Sequence, residues 1–287
     1  MSLFQPGGGS DMSAHAENVP DVRATGRSRM PVLFVGHGSP MNAIEDNVFA
    51  QRWKSVAESL PKPKAILCIS AHWETQGTLV TAMDRPRTIH DFGGFPEELF
   101  NVQYPAHGSP WLAKEAKESI TYAAAGYDKE WGLDHGCWSV MKRMFPRADV
   151  PIVQLSLDYT KEAGDHYGIG KELVRLRYEN VLIVGSGNMV HNLRRVVLKG
   201  NDFNEPFGLD WAMEANELFK KLINEDRHDE LIDYQLLGSS VQLAIPTAEH
   251  YLPMLYVLAA KEKNDSISYF NDQPVAGSLT MTSFVLK

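Results

Sequence analysis

Cysteine is scarce in this chain: Cys68 and Cys137 are the two among 287 residues. Two thiols cannot staple a chain of this length, so a disulfide framework is excluded. A reducing, cytoplasmic setting is expected instead, with Cys68 in "AILCIS" read as a buried small hydrophobe. Long apolar runs are absent too. None reaches the roughly 18–20 residues of a membrane span, so no membrane partner is expected. Positive charge is in deficit, 28 Lys and Arg against 36 Asp and Glu for a net charge of −8. That excess of acid argues against a nucleic-acid partner, which calls for a basic face.

The first 29 residues lack apolar rhythm and carry no signal-peptide core. They are expected to be a mobile leader or cloning scar, and His15 within them is given no role. The catalytic domain is expected over 30–287. There the short runs "PVLFVG" (31–36), "AILCIS" (65–70), "PIVQLSL" (151–157) and "VLIVGSG" (181–187) read as strands buried on both faces. Helical rhythm falls on Asn47–Ser59, Pro110–Ala125, Ser139–Met144, Lys161–Arg177 and Trp211–Asn224, and on Ala248–Ala260 with Pro253 interrupting it. "SISYF" and "SLTMTSFVLK" read as closing strands. This alternation predicts one α/β domain, a mostly parallel central sheet flanked by helices. The stretch from Thr75 to Pro110 is expected to be a long, ordered, aromatic-rich loop.

Three of the ten histidines sit just beyond a strand-like run: His37 after "LFVG", His72 after "LCIS", and His191 after "LIVGSGNMV". Ligands of open α/β sheets bind outside the carboxyl ends of the strands, so these imidazoles are placed to converge. Glycines on either side of His37 give its turn room. His250 in "PTAEHYLP" is a fourth candidate, with Glu249 as an alternative carboxylate donor. Imidazole suits Fe, Zn, Cu and Ni. His135 in "WGLDHGCW" fits either a packed aromatic corner or a shielded acid/base. A nucleophilic pair with Cys137 is disfavoured, because residues two apart rarely reach hydrogen-bonding geometry. His90 in "TIHDFGGFP" either lines a pocket or is held by Asp91. His107, His166 and His228 read as solvent-side residues. "GSGN" lacks the G-x-G-x-x-G continuation of a dinucleotide site, and "AHGSP" reads as a helix start.

Taken together, "GHGSPMN", "SAHWET", "TIHDFGGFP", "YPAHGSP", "WGLDHGCWSV", "VQLSLD", "GSGNMVHNLR" and "PTAEHYLPMLYVLAA" resemble the 4,5-DOPA extradiol dioxygenases, of the class III extradiol ring-cleaving group. The resemblance runs from about Met30 to the C-terminus. It implies an α/β fold with one divalent metal, Zn2+ or Fe2+, at the edge of the sheet. It implies His37, His72 and His250 as metal ligands, His191 as a further ligand or an acid/base, and His135 as the acid/base beside the metal. Where the wider group uses two histidines and a glutamate, this branch has a third histidine. The implied partners are a small catechol such as L-DOPA, cleaved to a muconate semialdehyde, and O2, with a monomer as the expected assembly. Phe92, Phe95, Tyr104 and Trp73 are then expected to wall the ring. Three rival readings stay open: a tetrapyrrole metal chelatase with two histidines facing across a porphyrin-sized cleft, a non-catalytic zinc-binding relative, and a zinc hydrolase.

Overall fold

Successive residues of the four expected strands point into two different cores. Val32, Phe34, Leu67, Ile69, Val153, Leu155, Val181 and Ile183 face one side, while Leu33, Val35, Ile66, Cys68, Ile152, Leu182 and Val184 face the other. Period-2 alternation with both faces apolar demands helices on both sides. The computed structural model describes residues 29–200 and 202–287 and has this layering.

The strands are β1 (Val32–Gly36), β2 (Ala65–Thr75), β3 (Thr78–Thr81), β4 (Ala125–Asp128), β5 (Ile152–Asp158), β6 (Val181–Gly187), β7 (Ile267–Phe270), β8 (Pro274–Val275), β9 (Leu279–Thr280) and β10 (Ser283–Leu286). Eight of them form one sheet in the order β4-β3-β5-β2-β6-β1-β10-β7, and β8 pairs with β9. The centre, β5-β2-β6-β1, is parallel. Antiparallel pairings of β3 with β5 and of β10 with β1 and β7 extend it on either side. The helices are α1 (Val48–Ser59), α2 (Glu97–Phe100), α3 (Pro110–Ser119), α4 (His135–Met144), α5 (Ala163–Glu172), α6 (Asp210–Asn224), α7 (His228–Ile232), α8 (Ser239–Ala244) and α9 (Leu252–Ala259). Phe49 and Trp53 of α1 and Trp138 and Met141 of α4 fill one core. Ile169 of α5, Phe219 of α6 and Leu255 of α9 fill the other.

Several boundaries differ from the sequence expectations. The helix from Pro110 stops at Ser119, and β4 occupies the end of its expected range. The long loop contains β3 and α2. Helix α4 starts at His135, four residues early, because the Asp134 side chain accepts the Cys137 N–H at 3.0 Å and caps it. Pro253 lies in the first turn of α9, where its missing N–H costs nothing, so it opens that helix rather than interrupting it. Of the expected leader, 1–29, residues 1–28 lie outside the described residues. Arg29, at its edge, is described and pairs with Asp265, Nη2 to Oδ1 at 2.7 Å. Among the described residues no helix is long and apolar enough to cross a membrane.

Candidate active site

The carboxyl ends of β1, β2 and β6 meet at one rim, and each delivers a polar side chain there. His37 follows β1. Its N–H donates to the Gly187 carbonyl at the end of β6 (3.0 Å), and its Nδ1 lies 3.1 Å from Ser186 Oγ. Of the two glycines beside it, only Gly38 is in the left-handed region, with φ +59°. Gly36 is extended strand whose missing side chain makes room for the Met281 backbone. The strand does not end before His72, as the apolar run suggested. β2 continues to Thr75 through an irregularity between Ile69 and Glu74, so His72 sits where the ladder with β5 is disrupted. Such bulges re-aim side chains next to active sites. Here Nε2 of His72 lies 3.2 Å from Nε2 of His37.

His250 arrives from the turn before α9, its backbone carbonyl held by the Asn188 N–H at 2.8 Å. Its Nδ1 faces Glu249 Oε1 at 3.0 Å. One ligand nitrogen from each of His37, His72 and His250 lies within 4.8 Å of the others. His191 is close but grouped differently: its ring stacks on that of His250, centroids 3.6 Å apart and planes 7° apart, and its ligand atom clusters with those of Glu249 and His250. Glu249 therefore partners His250 and is not one of the three central donors.

His135, the first residue of α4, completes the group, with its ring 3.8 Å from that of His72. Gly136 permits this approach, since a Cβ there would come within 2.6 Å of Ser70 Oγ and 2.8 Å of His72 Cδ2. Asp91 grips His135 twice: Oδ1 accepts its backbone N–H and Oδ2 faces its Nδ1, both at 2.9 Å. Burial pushes the Asp91 carboxyl up, but these hydrogen bonds outweigh it and hold it below the usual carboxylate range. With Nδ1 engaged by a carboxylate, Nε2 is the nitrogen of His135 left for chemistry.

The electrostatics favour neutral rings. Burial first, then repulsion among the imidazoles, holds His37 and His250 well below the ordinary histidine range. Burial likewise takes His72 to about 3 and His191 to about 4. Neutral imidazoles with converging lone pairs fit a borderline divalent metal such as Zn2+ or Fe2+. The histidines do not face each other across a wide cleft, as a tetrapyrrole chelatase would need.

All five rings line a cavity of about 460 Å³, within the usual range for small-molecule sites. Phe92, Phe95 and Phe203 wall it, and Met41, Leu193 and Leu279 add apolar surface. Phe92 meets the His135 ring edge to face at 5.5 Å. Trp73 and Tyr104, expected as walls, are core residues: Trp73 stacks on Trp131, and the Tyr104 hydroxyl donates to the Phe145 carbonyl. His90 faces the Val102 carbonyl at 2.9 Å, while Asp91 serves His135 in its place. His166 is fully buried against Tyr256, not solvent-side, and His228 is half-buried on the Tyr167 hydroxyl. Cys137 is buried and free, with no contact to His135 of the kind a nucleophile needs. Sequence reasoning missed the grip of Asp91 on His135, the Ser186 contact to His37, and a polar wall formed by Glu45, Asp202 and Asn204. Only Asp91 left a trace, as the acid beside His90 in "TIHDFGGFP".

Comparison with known proteins places the chain in a family. Residues 31–277 match the family described as the catalytic LigB subunit of aromatic ring-opening dioxygenase. The chain is 46% identical over 261 residues to the 4,5-DOPA dioxygenase extradiol of Escherichia coli K12, covering 89% of this chain and 94% of that one. It is 33% identical over 259 residues to the protein of the same name from Beta vulgaris, covering 88% and 94%. An uncharacterized protein of Escherichia coli K12 has a crystal structure that superposes with a TM-score of 0.77 at 40% identity, covering 90% of this chain and 100% of that one. The chain belongs to the LigB family of aromatic ring-opening dioxygenases, and it is an extradiol ring-cleaving enzyme.

Proposed function

We propose that the substrate is a catechol of the L-DOPA type, cleaved by O2 at the 4,5 bond to a muconate semialdehyde, with Fe2+ or Zn2+ bound by His37, His72 and His250. The observation that carries this reading is the convergence of those three nitrogens within 4.8 Å at the rim of an aromatic-walled cavity. A divalent metal in that position supplies a Lewis acid for the two catechol oxygens and, as Fe2+, electrons for O2. The protein supplies the rest. Ser186 and Glu249 engage the Nδ1 atoms of His37 and His250, which fixes the orientation of those rings. His135, oriented by Asp91, is the acid/base that takes a phenolic proton at Nε2 and returns it later. His191, stacked on His250, stands beside the metal ligands as a second proton-handling group. Phe92 and Phe95 hold the ring and keep bulk water from it. Cys68 and Cys137, both buried and free, suit a reducing cytoplasm.

The test is anaerobic loading of the protein with Fe2+, followed by L-DOPA and oxygen. A yellow semialdehyde should form with the wild type and not with His37→Ala. No product from the loaded wild type, or undiminished product from the variant, would contradict the reading.

A further inference from the structure

Behind the histidines stands a carboxylate that the chemistry above leaves unused. Asp134 is fully buried. Its Oδ1 accepts the Ser70 hydroxyl at 2.6 Å and the Cys137 N–H at 3.0 Å, and its Oδ2 accepts the Gln154 amide at 2.6 Å and the Trp131 indole N–H at 3.3 Å. All four donors are uncharged. Capping α4 needs only the bond to Cys137, which a serine or asparagine would make as well. Burying a carboxylate costs free energy that such a cap would not. What the carboxylate adds is its reach to other elements, Ser70 on β2 and Gln154 on β5. Ser70 lies within the irregular stretch of β2, and its Oγ accepts the His72 N–H at 3.3 Å. Asp134 itself directly precedes His135. On the neighbouring strand β6, Ser186 pairs in register with Ser70, and its hydroxyl donates to the Gly136 carbonyl at 2.6 Å while facing His37 Nδ1. The first turn of α4 thus meets the supports of both His37 and His72.

We propose that Asp134 is a positioning residue: through Ser70 it ties the bulge that carries His72 to the first turn of α4, and so holds metal ligand and acid/base at their ring separation of 3.8 Å. This assignment rests on the reading above, in which His72 binds the metal and His135 moves protons. Neither Asp134 nor Ser70 is among the residues that line the cavity. Their effect passes through the placement of the two rings, where a shift of about 1 Å costs on the order of 10²-fold in rate.

The experiment is titration of the full chain with Co2+, whose visible absorption reports the geometry of its ligands, in the wild type, Ser70→Ala and Asp134→Ser. Serine at 134 keeps a cap for α4 but is too short to reach Ser70 as well. Each variant should bind Co2+ roughly tenfold or more weakly, with altered visible bands. With Fe2+ at saturation, catechol cleavage by Ser70→Ala should still show kcat lowered about tenfold and KM within about twofold, because His135 has moved relative to His72. The structural control is Ser119→Ala on α3, which removes a buried hydroxyl that donates to the Glu115 carbonyl and accepts from Arg175. It should lose comparable stability and keep the wild-type affinity for Co2+. Wild-type affinity in Ser70→Ala, or an equal loss in Ser119→Ala, overturns the positioning role. Wild-type affinity in a folded Asp134→Ser overturns the assignment to Asp134; if that variant does not fold, Ser70→Ala decides alone. A kcat fully restored by saturating Fe2+ overturns the link to His135. If the wild type binds no Co2+, or His72→Ala binds it equally well, the metal reading fails and this inference falls with it.

Discussion

Replacing Asp91 with Asn tests the division of labour in the site. The two side chains have nearly the same volume, so the perturbation is chemical. In the wild type Oδ1 accepts the His135 N–H and Oδ2 faces Nδ1, each at 2.9 Å. An amide can keep the first bond through its carbonyl, but it then turns an NH2 toward Nδ1. The imidazole must lose that hydrogen bond or place its proton on Nε2. In the second case the nitrogen that should accept the substrate proton is already protonated. Positioned acid/base groups contribute about 10²–10⁴-fold, so kcat of the Fe2+-loaded enzyme should fall at least about a hundredfold. Structurally the cost is smaller, about 1.5–3 kcal/mol for a hydrogen bond to a charged group, and the fold should survive. The assay is steady-state cleavage of a catechol alongside metal content. Metal content should stay near that of the wild type, because Asp91 is not among the three converging donors. An unchanged kcat, or a loss of activity fully explained by lost metal, would refute the role given to Asp91.

Other outcomes follow from single contacts. Gly136→Ala should reduce metal occupancy and lower stability by roughly 1–3 kcal/mol, since its new Cβ would come within 2.6 Å of Ser70 Oγ and 2.8 Å of the His72 ring; full occupancy by metal analysis would refute this. Asp265→Ala should cost about 3–5 kcal/mol in denaturant unfolding, because it strands Arg177, whose fully buried guanidinium meets Asp265 Oδ2 at 2.6 Å. The same pair makes the fold acid-sensitive. Burial raises the Asp265 carboxyl, but hydrogen bonds led by Arg177 outweigh it and leave it below its ordinary value. Its contribution is thus complete above the unfolded carboxyl range, near pH 4, and is lost as pH falls through the lower folded value. Unfolding free energies of wild type and Asp265→Ala measured from pH 6 down to 3 should converge, and a constant gap would refute the assignment.

The parts of the fold that could be read from the sequence are those whose burial leaves no choice. β1, β5 and β6 are continuous apolar runs because helices cover both their faces. β3 and β4 were hidden because "TLVT" and "AGYD" are short and β4 is only partly buried at the edge of the sheet. The start of α4 was obscured by Gly136 and Cys137, poor helix formers that the site and the core require. The site was legible as far as each histidine followed its own strand or turn. His37 and His191 announced themselves by position. For His72 the apolar run stopped before the strand did, since the ladder irregularity that aims it is a property of pairing with β5. Partners remote in sequence left no local signal: Asp91 and His135 are 44 residues apart, and Glu45 and Asn204 are 159 apart.

Three imidazoles sharing one cation are the centre of the proposed enzyme, and X-ray absorption at the zinc edge reads that directly. Protein loaded with one equivalent of Zn2+ should show imidazole scattering from three histidines at about 2.0–2.1 Å, falling by one in His250→Ala. A zinc shell without histidine scattering, or one unchanged in that variant, would contradict it.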